Sequence, residues 1–384
     1  MLLGLILLFS LAAAAADWLH FRRARRARLR RLSLAWAAAT DALPLAVVGM
    51  GLLCRDNPTP VVMASMWLFW VWMATVLPRL AFYAFNFFGL RRTGLAAAAA
   101  VFAALVIGVT AGRTSLRVSR TEVCSPALPA TFDGLRIVQL SDIHLGTIVS
   151  PGRELTRLAD RVNALRPDLV LFTGDLVNIR ASELDSTAVR LLRRIEAPVY
   201  SVTGNHDVGK YIKDSLRHPA AESLREVIAR QRAMGWRVLD DETVYLRHGG
   251  DSIALTGLSF DPALSEQRHD RHLPATGLRR AFAGVPQGLY SIVLAHVPQL
   301  WEQITAAGYG DLTLSGHVHA MQCKIRFGGR GWSPAALLYK HWSGRYDDSA
   351  GRTLYVNDGT GCVGYPMRLG ARPEITLITL KRCE

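Results

Sequence analysis

Two regimes of hydrophobic patterning divide the chain. Up to about Arg113 apolar residues run almost without break in stretches long enough to be membrane helices. Beyond it they come in short blocks, separated by turn residues and by segments of helical period. Leu2 to Leu19 is apolar apart from Asp17. Ser33 to Cys54 is a second stretch, interrupted by Asp41 and Pro44, and Asp41 reads equally as a functional group in a span or as a helix-end residue. Val61 to Leu90 is a third, with Trp67, Trp70 and Trp72 in its first half and Pro78-Arg79 splitting it; Gly94 to Ala111 is a fourth, shorter and Ala-rich. The third exceeds the ~20 residues of one crossing, which predicts tilt, a kink or a partly interfacial lie.

The soluble part reads as a different class. Ile137–Leu140, Leu169–Thr173, Val199–Thr203, Ile253–Leu258, Ser291–Leu294, Leu312–Leu314, Leu354–Val356 and Ile375–Leu380 are apolar, β-branched runs that predict buried strands. Glu154–Leu165, Thr187–Ile195, Ala221–Met234 and Gln299–Ala307 carry helical periodicity. Together they predict an α/β domain, a layered sheet sandwich with helices outside. The division expected is a membrane region with about four transmembrane helices over residues 1–112 and a soluble domain over 113–384.

Charge orients this arrangement. Of the formal net charge of +14 over 384 residues, +9 falls before residue 116, where twelve Arg face Asp17, Asp41 and Asp56. Most of the basicity is therefore membrane flank, and no nucleic-acid partner is expected. The Arg22–Arg31 cluster follows the first apolar stretch, the reverse of a secretory signal peptide, so that stretch reads as a retained helix with its basic end cytoplasmic. With four crossings, positive-inside places the C-terminal domain outside the cytoplasm of a cell (inner) membrane. The five Cys show no Cys-x-x-Cys spacing and are odd in number, which predicts neither a disulfide framework nor a zinc ribbon.

The chemistry lies where the strands end. Leu135–Leu140 runs into Ser-Asp142-Ile-His144, Asp168–Thr173 into Gly174-Asp175, Val199–Thr203 into Gly204-Asn205-His206-Asp207, Tyr290–Ala295 into His296, and Asp311–Ser315 into Gly316-His317-Val-His319. Five of the eleven His lie in these blocks. Any one is an ordinary turn residue; five in order, each just past a strand, point to one ligand site at a sheet edge. His269 and His272 read as a third metal site or, more readily, as part of a solvated charged loop, and His341-Trp-Ser-Gly-Arg345 reads equally as a pocket wall with Arg345 on a phosphate or as a plain surface loop.

These blocks resemble the calcineurin-like metallophosphoesterases, whose Asp-x-His, Gly-Asp, Gly-Asn-His-(Asp/Glu), His and Gly-His-x-His motifs they match in order from Arg136 to the C-terminus. The closing Tyr355–Gly361 and Arg372–Thr379 segments are similar to the membrane-associated bacterial branch. Ala320-Met321-Gln322 departs from the usual Gly-Gly-Gln. The resemblance implies a four-layer α/β/β/α sandwich and two divalent ions, Mn, Fe, Zn or Co. It assigns Asp142, His144, Asp175 and His319 to one ion and Asp175, Asn205, His296 and His317 to the other, with Asp175 bridging. It implies a metal-activated hydroxide attacking phosphorus, with His206 donating to the developing oxyanion or protonating the leaving oxygen, and Asp207 orienting His206 and raising its pKa. Several spans for one domain point to a lipid or lipid-linked phosphodiester or pyrophosphate as substrate, with membrane lipids as partners. The alternative is a non-catalytic membrane sensor or scaffold binding a phosphorylated ligand at the metals, against which stand intact His206 and Asp175. A transporter would need more broken or polar spans.

Overall fold

The computed structural model describes every residue except Met1, 22–26, 44–45, 47–48, 51–53, 55, 263–275, 328–329 and Glu384. It forms two compact units, one of Met1–Ala111 with Gly364–Met367, the other of Gly112–Val363 with Arg368–Glu384.

The first unit is helical: α1 (Leu2–Phe21), α2 (Ala27–Asp41), α3 (Thr59–Asn86) and α4 (Arg91–Ile107), which continues as a π-helical turn, Gly108–Gly112. Among the described residues, Thr59–Asn86 and Arg91–Gly112 are long and apolar enough to cross a membrane, and Ile6–His20 is a shorter apolar helix. The Ser33–Cys54 stretch falls partly, and the Asp41 side chain wholly, outside the described residues. Pro78 does not split α3, which runs through it as one helix, and Arg79 Nε donates to Thr75 O at 3.1 Å beside that point. The Arg79 guanidinium also meets Asp17 at 2.6 Å, and Tyr83 donates its hydroxyl to the same carboxylate. The two charges that interrupt the apolar stretches of α1 and α3 thus neutralise each other, as charges away from water must.

The second unit is a sandwich of two six-stranded sheets. The first has the order β1 (Arg117–Ser125), β14 (Glu374–Arg382), β2 (Arg136–Leu140), β3 (Leu169–Phe172), β4 (Val199–Ser201), β5 (Arg237–Val238). The second has the order β12 (Gly344–Asp347), β13 (Thr353–Val356), β9 (Leu312–Ser315), β8 (Ser291–Ala295), β7 (Asp251–Leu258), β6 (Glu242–His248). β2 through β5 run parallel, as do β7, β8, β9 and β13. A hairpin of β10 (Ile325–Phe327) and β11 (Arg330–Trp332) stands apart.

Three apolar layers explain why the central strands read as unbroken hydrophobic runs: both of their faces are covered. Alternate side chains of β2 go opposite ways, Ile137 into the core between the sheets and Val138 under the helices. β8 does the same, with Ile292 and Leu294 between the sheets and Val293 and Ala295 under the other helices. On the first outer face lie α5 (Pro151–Ala164), α6 (Ser186–Leu192) and α7 (Ala220–Ala233); on the second lie α8 (Thr276–Ala281) and α9 (Trp301–Ala306). The result is the four-layer α/β/β/α sandwich. α5 buries Leu155, Leu158, Ala159 and Val162, spaced three and four apart. Proline opens its first turn, and Glu154 reaches back to accept from Ser150 N at 2.9 Å. Asp185 caps α6 by accepting from Ala188 N at 2.8 Å.

Contrary to the cysteine arithmetic, Cys124 on β1 and Cys383 just past β14 form a disulfide with Cα atoms 5.7 Å apart, inside the usual range. The two strands are parallel neighbours, with Cys124 opposite Lys381, so the pairing follows from strand order and not from spacing along the chain.

Candidate metal centre

Because β2, β3 and β4 are parallel, and β7, β8 and β9 likewise, all the loops following them open at the C-terminal edges of their sheets. The structure gathers there every motif residue named from the sequence. Three sets of ligand atoms lie within 4.8 Å of one another: Asp142, His144 and His319; His144, Asp175 and His206; Asp175, His296 and His317. Asp175 is shared between sets, and His296 Nε2 lies 3.2 Å from its Oδ2. The Asn205 amide oxygen is 2.9 Å from His296 Nε2 and 2.8 Å from His317 Nδ1.

Aiming so many side chains at one place needs an unusual backbone. Asp142, His144, Asp175, His317 and His319 all have φ between 48° and 69°, the left-handed region that costs a non-glycine residue about 1–2 kcal/mol. Tight loop bonds hold them there: Asp142 N donates to Gly174 O at 2.9 Å and His144 N to Asp175 O at 3.2 Å. Such strain concentrates at functional sites. Glycine is required where two loops touch. A Cβ on Gly204 would lie 2.1 Å from Asp175 Oδ1, and one on Gly316 2.2 Å from Asp142 Oδ2.

The donor set fits cations. His144 Nε2 lies 3.1 Å from His319 Nε2, which lies 3.0 Å from Asp142 Oδ1, so imidazole lone pairs crowd a carboxylate in a buried space. His144 Nδ1 is buried with no hydrogen-bond partner among the described residues. His296 Nδ1 faces Thr173 O at 2.7 Å; donating there leaves Nε2 as the ligating nitrogen. Burial opposes ionisation of both carboxyl groups, yet His319 pulls Asp142, and His296 pulls Asp175, below the usual carboxylate range. Burial also drives the imidazoles toward neutrality: His144 falls well below its ordinary value and His317 to about 3. His296 is the exception; against its own burial, Asp175 raises it to about 9.

Asp207 is not the group that orients His206. Its carboxylate accepts four backbone amides, from Asp175 at 2.8 Å, Gly204 at 2.9 Å, Leu176 at 2.9 Å and Val177 at 3.1 Å. Asp207 therefore shapes the loop carrying Asp175, and burial lowers the pKa of His206, outweighing the upward pull of Asp175. The partner of His206 Nδ1 is the carbonyl of Asn178, at 2.5 Å. Asn178 is held in turn by Glu183, a half-buried carboxylate accepting from the amides of Asn178, Ile179 and Gly146 at 2.5, 3.0 and 3.1 Å. Arg345 is likewise engaged elsewhere, bonding Asp347 at 2.8 Å and Glu122 O at 2.5 Å, while His341 packs against Trp301 and Tyr346. His269 and His272 lie outside the described residues.

Three contributors carried no sequence signal. Arg368, fully buried, reaches His319 Nδ1 at 3.1 Å while donating to the carbonyls of Gly361, Asp358 and Ala371. Tyr211 accepts from Asn205 Nδ2 at 3.0 Å and packs its ring 4.3 Å from that of His206. Tyr339 lies 6.0 Å from the His317 ring, centroid to centroid.

Comparison with known proteins agrees with this geometry. The family model described as calcineurin-like phosphoesterase matches residues 135–321. The "transmembrane protein with metallophosphoesterase domain" of Danio rerio is 32% identical over 286 residues, 72% of this chain and 60% of that protein. The Bos taurus protein of the same name is 32% identical over 287 residues, again 60% of its length, so the chain spans less than two thirds of either relative. The "uncharacterized metallophosphoesterase YkuE" of Bacillus subtilis is 31% identical over 262 residues, covering 67% of this chain and 82% of YkuE. The chain belongs to the calcineurin-like metallophosphoesterases.

For a metallophosphoesterase its last motif is unusual, and the backbone says what the departure costs. Ala320, Met321 and Gln322 have φ of 48°, 44° and 53°, where the family's two glycines would sit without strain. Gln322 is kept, its side-chain oxygen accepting from Val363 N at 2.6 Å.

Proposed function

We propose that this metallophosphoesterase is a membrane-anchored phosphoester hydrolase with two divalent cations, acting on a lipid or lipid-linked phosphodiester or pyrophosphate. The observation that carries the reading is Asp175, placed between an Asp142/His144/His319 group and a His296/His317 group. Asp142, His144, His319 and Asp175 would hold one cation, and Asp175, Asn205, His296 and His317 the other. Once bound, the cations would lower the pKa of a water toward neutrality and offset phosphoryl charge. Asn205 contributes an amide oxygen without adding negative charge, which keeps the site open to an anion. With Nδ1 donating to Asn178 O, His206 keeps Nε2 on the site side, where it takes up a proton and passes it to the leaving oxygen. Asp207 holds the Asp175 loop in place.

The membrane part of the proposal takes residues 1–112 as a multi-pass anchor of about four helices and 113–384 as the hydrolase domain on the extracytoplasmic side. It is supported by the two apolar helices, by the positive charge before residue 116, and by the Cys124–Cys383 disulfide, since such bonds persist in oxidising compartments. The test is hydrolysis of bis(p-nitrophenyl) phosphate and p-nitrophenyl phosphate by the chelated full chain, before and after adding Mn²⁺. Metal-dependent turnover, lost in Asp175→Asn, is expected. Two bound metals without turnover of either ester, or of phospholipid in a bilayer, would overturn hydrolysis in favour of ligand sensing.

A further inference from the structure

Behind the loop that carries Asp142 and His144, the sandwich unit contains a cavity of about 270 Å³ lined by apolar and by basic residues. Leu116, Ile143, Leu155 and Leu158 form its apolar floor, and Arg113, Arg153 and Arg157 also line it, the last two at the exposed side. The acidic residue among them, Glu154, is bound by Arg113 at 3.0 and 3.2 Å, which leaves the other two arginines as uncompensated charge. Arg153 and Arg157 are exposed, and neither forms an ion pair among the described residues. With Arg161 they repeat every fourth residue along α5 and line a shallow depression beside the cavity. Asp160, which shares that depression, is paired with Arg194 at 2.7 Å.

The apolar floor and basic exposed side select an amphiphile with an anionic head. A free phosphate would leave the floor bare, and 270 Å³ is slightly below the ~300 Å³ at which ligand cavities begin, enough for one acyl segment and not for a whole lipid. The chain itself says where such a molecule would come from. Arg113 follows directly on Arg91–Gly112, a helix apolar and long enough to cross a membrane. The next residues are held by arginines: Arg157 donates to Thr114 O at 2.9 Å and Arg372 to Ser115 O at 3.0 Å. Covalent continuity thus brings the cavity wall to within a residue of that helix end, and basic residues beside a membrane helix attract anionic lipid.

We propose that this face of α5 seats an anionic phospholipid, its phosphate on Arg153 and Arg157 and one acyl segment on the Leu155/Leu158 floor. The proposal rests on the membrane reading above, but not on catalysis or on which side of the membrane the domain lies. The test uses the full chain in phosphatidylcholine nanodiscs containing a few mole per cent of phosphatidylglycerol with a diazirine on one acyl chain. After irradiation, labelled peptides are mapped by mass spectrometry. Label is expected on residues 113–116 and 151–164 as well as on Thr59–Asn86 and Arg91–Gly112. In Arg153→Glu/Arg157→Glu the α5 label should fall at least five-fold with the helix label unchanged, and Arg153→Gln/Arg157→Gln should lie between. Diazirine phosphatidylcholine should label the helices alone. Helix label without α5 label, equal α5 label from both lipids, or α5 label indifferent to charge reversal would overturn the proposal. Absence of label from the helices as well would instead overturn the membrane reading on which it rests.

Discussion

His206 has one ring nitrogen committed and one free. Its Nδ1–H is taken by Asn178 O at 2.5 Å, so proton transfer to a leaving group has to use Nε2. His206→Asn should therefore cost about 10²–10⁴ in kcat with an alkyl leaving group, the range for a lost general acid. It should cost far less with p-nitrophenolate, which departs unprotonated. Metal content by mass spectrometry should not change; an equal loss on both substrates would remove the proton-donor role. His296 predicts a pH dependence of metal loading. Asp175 raises it to about 9 in the metal-free chain, whereas a ligating imidazole must be unprotonated. Below about 9, binding must expel this proton, so Mn²⁺ affinity should rise about tenfold per pH unit toward 9 and then level off. The sign for folding is opposite: a raised imidazole pKa stabilises the metal-free fold fully below about 6.5, and this contribution is lost as pH rises through about 9. The Mn²⁺-induced increase in Tm should thus grow between these limits, and a flat profile in differential scanning fluorimetry would contradict it. The clustered Asp, Asn and His residues were legible in the sequence because each follows an apolar run at once. Glu183 and Arg368 were not, since what they offer is a clamp on the amides around Asn178 and a guanidinium to His319, both brought from loops by the fold. Asp207 departs from its expected role for the same reason: adjacency to His206 in sequence does not aim its carboxylate at the ring.

At the scale of elements, legibility followed burial. All eight apolar runs named from the sequence are strands, because central parallel strands covered on both faces need apolar residues throughout. β1 escaped notice, carrying Arg117, Ser119, Arg120 and Glu122 at an edge of its sheet, and so did β6, the opposite edge of the second sheet, with Glu242, Arg247 and His248. The same contrast predicts stability. Leu294, fully buried between the sheets, should cost about 2–5 kcal/mol as Leu294→Ala. Tyr245→Ala on β6, at a side chain 42% exposed, should stay within about 0.5 kcal/mol. Thermal unfolding of the full chain in detergent, followed by near-ultraviolet circular dichroism, ranks them; similar losses would mean that β6 is covered by something else. The turn at Ala320–Gln322 gives a stabilising counterpart. Glycine at 321 relieves a left-handed conformation costing about 1–2 kcal/mol, less the ~0.5–1 kcal/mol of added unfolded-state entropy. Met321→Gly should leave stability unchanged or raise it by up to about 1.5 kcal/mol, although it removes a side chain. A loss beyond 1 kcal/mol would show that Met321 packs productively despite being 38% exposed.

Over the whole molecule, charge and cysteine placement test the proposed orientation by independent physics. Twelve arginines against three aspartates before residue 116 bias the helical region toward a cytoplasmic basic flank. The Cys124–Cys383 bond joins positions 259 residues apart and ties the first strand of the sandwich to the end of the chain, so it constrains nearly the whole domain in the unfolded state. Closing so long a loop stabilises typically by about 2–4 kcal/mol, a gain realised only where thiols are oxidised. In cells with an intact inner membrane, wild-type chain should therefore show neither of these two cysteines to a membrane-impermeant maleimide. Cys124→Ser should free the Cys383 thiol and make it reactive from outside, in a background where Cys54, Cys323 and Cys362 are replaced by Ala so that they add no label. The same variant should unfold at lower temperature than wild type, and a reductant should lower the Tm of wild type but not of the variant. Thiols at both positions in chain purified without reductant, or maleimide reaction at Cys383 only after permeabilisation, would instead place the sandwich in the cytoplasm. The substrate would then have to be a phosphoester presented at the inner leaflet, with the cation ligands and His206 in the roles assigned above.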